Sequence, residues 1–190
     1  MTIVAFLVSG CAASSDYMRP LEVPRMPNAS SDRATVIFVR PSSFAGSLLV
    51  RVLDDKGQFI GDALPSSWFF TSVEPGEHTF ISWAENTGAL RAKLAAGKIY
   101  FVEVDVKLGA LSARAHLKAL GPKSEAWDER DAWLRDSTQL EVDAPSGQAY
   151  LDGRREDVEE RIRRAHDALA KYTPAELADR TLAPADGIVP

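Results

Sequence analysis

Between Ala34 and Leu120 the chain is cut into short apolar runs by turn-forming residues, with no long helical repeat between them. That punctuation restricts the fold more than any other feature. Short β-branched runs at this spacing build an antiparallel β-sandwich or barrel, and the missing crossover helices argue against a parallel α/β sheet. Ala34–Arg40 (ATVIFVR) ends at Pro41. Leu48–Asp54 is followed by the hairpin signal Asp55-Lys56-Gly57, and Phe59-Ile60 starts the return strand. Ser67–Val73 and His78–Ala84 flank Glu74-Pro75-Gly76-Glu77, where Pro precedes Gly as a type II turn requires. The weaker Ala89–Leu94 precedes the clearest strand, Ile99–Val106. There Tyr100, Val102, Val104 and Val106 share one face, and Glu103 and Asp105 share a wet one. Ser112–Leu120 alternates likewise. The expectation is seven to eight strands in an antiparallel sandwich spanning 34–120.

The chain before this region divides at its single cysteine. Residues 1–10 are almost wholly apolar and run into Cys11. The stretch is too short to span a bilayer, which takes about 20 residues, and it fits the apolar core of a secretory signal. No Lys or Arg precedes it, so 1–10 reads as a truncated signal peptide. Val8-Ser9-Gly10-Cys11 resembles the lipobox of bacterial lipoproteins. In that family small residues precede a cysteine whose thiolate takes up the lipid and which becomes the first residue after cleavage. The resemblance implies lipidation at Cys11, and Ala12 in the following position implies the outer membrane, facing the periplasm. Residues 11–33 contain Pro20, Pro24 and Pro27 and few aliphatic side chains, so they read as the lipidated cysteine and a flexible tether.

Three landmarks in the β region, Phe38-Val-Arg-Pro-Ser42, Pro75-Gly76-x-His78 and Ala96-Gly97-Lys98-x-Tyr100-Phe101, resemble those of an uncharacterised family of bacterial lipoproteins with a domain of unknown function. The likeness covers about Arg33 to Leu120. It speaks to fold and implies no catalytic residues.

After Gly121-Pro122 the composition shifts. Met1–Leu120 carries 12 basic and 11 acidic residues, whereas 121–190 carries 10 and 16, so the net charge of −5 belongs to the C-terminal part. Two or three helices are expected in this acidic region, 121–190. One, opened by Ser124, carries Trp127, Trp133 and Leu134. Gln139–Asp143 reads as a short strand or extended link and Pro145-Ser-Gly147 as a loop. The strongest helix spans about Gly153–Tyr172, with the stripe Val158, Ile162, Ala165, Leu169 and Tyr172. Its other faces pair acids with bases four residues on, as in Glu160 and Arg164. The stripe serves either to pack on the sandwich or for helix-mediated self-association. Thr173-Pro-Ala-Glu176 has the form of a capping box, and the tail from Thr181 is expected to be loose. The class is thus mainly β with an α-helical C-terminal region.

The chemistry-bearing motifs are few. His78, His116 and His166 fall on different elements at no metal-ligand spacing, so no metal site or cofactor is expected. Phosphate loops and the G-x-S-x-G elbow do not occur, and no enzyme activity is expected. The acidic balance argues against nucleic acid. The aromatics offer one alternative: Trp68 and Trp83, on neighbouring predicted strands, could form a stacking platform for an envelope glycan. The main expectation is a cell-envelope lipoprotein, held in the membrane by lipid on Cys11, acting as a non-catalytic interaction or structural module toward an envelope protein or glycan.

Overall fold

Every residue of strand β2 (Ala34–Arg40) is buried. A strand with one wet face would alternate, so this continuous run needs cover on both sides. The computed structural model, which describes residues 13–109 and 113–190, supplies it. Two sheets face each other. The first has the order β1 (Met18–Pro20), β10 (Thr138–Val142), β5 (Ser67–Val73), β2, β8 (Ile99–Leu108), β9 (Ala113–Leu120). The second has the order β11 (Thr181–Leu182), β7 (Thr87–Leu94), β6 (Gly76–Trp83), β3 (Val50–Asp54), β4 (Phe59–Ala63). Between them Phe38 stacks on Phe69 at 5.4 Å, and Phe80 of the second sheet meets Phe38 edge-on at 5.2 Å. On the outer side of the first sheet Ile37, Val39, Trp68, Phe101 and Leu120 form a second apolar cluster. It is covered by Trp127 and by Leu134 of helix α1 (Arg130–Asp136).

The mainly β class stands, but the arrangement is not the simple antiparallel sandwich expected. Eleven strands, not seven to eight, are found among the described residues, and both sheets are mixed. β2 runs parallel to β8, β10 parallel to β5 and β11 parallel to β7. The additional strands come from both flanks of the 34–120 region. Where alternation is clear the expectation holds: Tyr100, Val102, Val104 and Val106 face the core, as do Ala115 and Leu117 opposite them. The edge of β9 is blunted by Asn86, whose side chain both donates to the Ala115 carbonyl and accepts from its N–H, each at 2.8 Å.

The C-terminal part is woven into the sandwich. β10 lies between β1 and β5, β11 extends the second sheet, and Ile188 bridges to Ile99, so the tail expected to be loose is bound. Helix α3 (Arg155–Lys171) turns Val158, Ala165 and Leu169 inward against β7 and β6, which makes the stripe a packing face. Of the acid–base pairs expected along it, Glu160 and Arg164 meet; Arg161, four residues after Asp157, instead donates to Thr87 Oγ1 and lies over the Trp83 ring. The Thr173 capping box opens α4 (Pro174–Ala178) as expected. Ser124 does not cap a helix; its hydroxyl donates back to Gly121. Pro145-Ser-Gly147 is not a loop but the first turns of α2 (Ala144–Asp152). Asp143 caps that helix, and a Cβ at Gly147 would lie 2.3 Å from the Phe59 ring, so glycine lets the helix approach the sheet.

The largest correction concerns the tether. From Ala13 onward the segment is laid along the fold. β1 pairs antiparallel with β10, Met18 is buried, Leu21 N–H donates to Gln139 O, and the Gln139 side chain bonds both main-chain groups of Arg25. The prolines exclude helix, yet extended chain is the conformation that a sheet edge accepts.

Candidate functional site

The N-terminal segment, the start of β3 and the end of β4 meet at one end of the sandwich. Ala13 N–H donates to Gly46 O at 2.7 Å, fixing the segment to the loop 41–49 that joins β2 to β3. Two residues on, Ser15 Oγ donates to Asp62 Oδ2 at 2.7 Å. Asp62 is fully buried and takes both Nε and Nη2 of Arg51, at 2.8 and 2.9 Å, in a two-pronged ion pair. The Arg51 guanidinium lies 4.2 Å from the Tyr150 ring centre and within 6 Å of Tyr17 and Phe59. Burial works most strongly against the Arg51 charge, but hydrogen bonding to Asp62, the Asp62 charge and Tyr150 together outweigh it and raise its pKa. With three donors on its oxygens the carboxylate is satisfied. The Arg51–Asp62 pair ties N-terminal segment, hairpin and α2 together.

Arg40 is buried nearby without a carboxylate. Nη1 donates to Leu48 O (2.6 Å) and Ala63 O (3.1 Å), and Nη2 to Phe44 O (3.0 Å) and Ala45 O (3.1 Å). Burial alone pushes its pKa down to about 10, so it stays charged at neutral pH. The guanidinium serves as a template for the loop: four carbonyls converge on one fork.

A charged strip occupies the outer faces of β8 and β9. Lys118 Nζ sits 2.6 Å from Asp105 and 3.9 Å from Glu103. Burial raises the Glu103 pKa, with Lys118 opposing. Burial, then the Arg180 charge, lowers that of His116. A shallow cleft of about 340 Å³ beside it is lined by Glu103, Lys118, Lys123, Ser124 and Asp179. Opposite charges largely cancel there. A second cleft of about 430 Å³ near the start of β6 mixes Asp55, Glu77 and His78 with Arg91 and Lys93. No group of three or more His, Cys, Asp or Glu able to hold a metal occurs among the described residues.

Residues 1–10 and Cys11 lie outside the described residues. Trp68 and Trp83 are not brought together. Trp68 is buried on the outer face of the first sheet, its Nε1 donating to Leu134 O at 3.0 Å. Trp83 is on the second sheet beneath Arg161. The expected stacking platform is therefore not formed; each indole is capped by C-terminal structure that its strand sequence does not reveal. Sequence reading missed Arg40, Arg51 and Asp62. The pleat held a clue for Arg40, since alternation places it on the same face as Val36 and Phe38. Nothing local pairs Arg51 with Asp62.

The landmark residues act as structural punctuation. Arg40 holds its loop, His78 Nε2 meets Glu74 O across the β5–β6 turn, and the Tyr100 hydroxyl accepts the Ala95 N–H at 2.8 Å. A protein of Haemophilus influenzae titled "Uncharacterized protein" is 28% identical over 120 residues, which cover 60% of this chain and 70% of that one. No family model and no solved structure matches the chain. The likeness is consistent with a family of uncharacterised proteins.

Proposed function

We propose that this protein is a bacterial envelope lipoprotein, attached through lipid on Cys11 to the outer membrane on its periplasmic side, that acts by binding an envelope partner and performs no chemistry of its own. One observation carries the reading: an apolar run meets the sole cysteine through Val8-Ser9-Gly10, which resembles a lipobox. Its support is positional. Ala13, two residues past Cys11, is bonded at one end of the sandwich, so a lipid on Cys11 attaches at that end and leaves the other faces free for a partner.

Intact-mass analysis of the membrane-extracted protein tests it. The expected mass is that of a chain beginning at Cys11 plus a lipid adduct, and Cys11→Ala is expected to abolish the adduct and either release the protein from membranes or leave the precursor uncleaved. An unmodified chain recovered from the soluble fraction would overturn the reading. Crosslinking of the anchored protein, followed by identification of the captured species, then tests the partner class.

A further inference from the structure

Building on the lipoprotein reading, we infer that loop 41–49 is a membrane-contacting wedge that seats Phe44 in the headgroup–acyl boundary of the bilayer holding the Cys11 lipid. Four observations converge on it. The first is reach. Gly46 O bonds Ala13 N–H, so the chain two positions after the proposed lipidation site is fixed to this loop.

The second is composition. Pro41 to Val50 contains no charged residue, only serines and apolar side chains, so no ion need be stripped of water on contact. The third is exposure. Phe44 is 46% exposed at the tip, whereas the other phenylalanines nearby are in the core. The fourth is that much of the loop's carbonyl backbone is already bonded. Arg40 saturates Phe44 O, Ala45 O and Leu48 O, Ser42 Oγ accepts the Phe44 N–H, and Leu48 N–H donates to Ala45 O. Backbone groups without partners are what keep irregular chain out of an apolar phase, and here an internal cation meets three of the loop's carbonyls and so lowers that cost. It also fixes the loop, so that Phe44 is presented without an ordering penalty. One ring does not hold a protein on a bilayer, and a lipid chain carries most of the attachment. The wedge therefore sets orientation.

Leu108 supports the same end. β8 runs parallel to β2 and continues five residues beyond the Val39 to Glu103 pairing, which carries this 79%-exposed side chain in the direction of the loop. Val189 is at the opposite end, next to Ile188, which pairs with Ile99 level with the start of β2.

The single cysteine makes the test clean. With Cys11 lipidated, Phe44→Cys and Val189→Cys each offer one free thiol for an environment-sensitive nitrobenzoxadiazole label. The lipidated proteins are reconstituted into phosphatidylethanolamine–phosphatidylglycerol vesicles, some carrying nitroxide lipids. The label at position 44 is expected to shift to shorter wavelength and to be quenched several-fold more strongly than the label at 189. If the protein floats with the vesicles but both labels report water equally, the wedge is overturned while the anchor stands. If the unlabelled protein carries no lipid and does not float, the anchor reading falls, and the wedge falls with it.

Discussion

Arg40 and Arg51 lie at the same end of the sandwich, joined by one loop and both buried, yet they are solved in opposite ways. Arg51 meets a buried carboxylate on the next strand and is roofed by aromatic rings, so its charge is cancelled locally and its pKa raised. Arg40 has four carbonyls and no counter-charge, and burial lowers its pKa to about 10. A buried ion pair is replaceable by apolar groups of similar volume, because its two members satisfy each other. A buried cation on backbone carbonyls is not, since the acceptors remain when the side chain goes. The first arrangement holds elements together; the second holds a loop in shape.

The largest effect is expected from breaking the pair on one side. Asp62→Ala leaves Arg51 charged and unpaired, and destabilisation of about 3–5 kcal/mol is expected by denaturant unfolding. Replacing both, Arg51→Met with Asp62→Leu, is expected to recover most of that loss. A double variant as unstable as the single one would mean the pair is not self-contained. Arg40→Ala comes next, at about 2–3 kcal/mol, because water reaches some of the freed carbonyls. Arg40→Lys keeps the charge but lacks the fork, and is expected to restore only part of the stability. Full rescue by lysine would show that charge, not geometry, is what the loop needs.

The smallest effect concerns His116, half-buried on β9, whose side chain exchanges a proton near neutral pH. Burial and Arg180 hold its folded pKa below the ordinary 6.5, while Asp105 opposes. Above about pH 6.5 both folded and unfolded chains carry it neutral. As pH falls through 6.5 the unfolded chain takes the proton first, so stability declines until the folded pKa is reached. Melting temperatures between pH 7.5 and 5.5 are expected to fall less for His116→Gln than for the parent. An equal fall in both would remove His116 from the account.

Much of the central architecture was legible because it rests on local pattern. The valine face of β8, the packing stripe of α3 and the Thr173 cap are visible in period and spacing. What escaped depends on distant partners. β10 was readable as a short strand or extended link, but its place between β1 and β5 was not. α2 was hidden by Pro145 and Gly147, which read as loop residues but serve as an early-helix proline and a close-approach glycine. The Arg25–Gln139 contact spans 114 positions of sequence. The candidate site was the least legible part. Trp68 and Trp83 stood out as large aromatics, yet their neighbours come from α1 and α3. Arg51 and Asp62 read as ordinary strand charges.

Residues 13–25 belong to the fold, so the segment expected to be a flexible tether is held on the sandwich. Hydrogen–deuterium exchange read by mass spectrometry over peptides from that segment tests it directly. The account predicts that the amides of Leu21 and Arg25, bonded to Gln139 O and Gln139 Oε1, exchange more slowly than unstructured chain by at least about a hundred-fold. Exchange of the whole segment at the rate of free peptide would contradict it and restore a flexible tether.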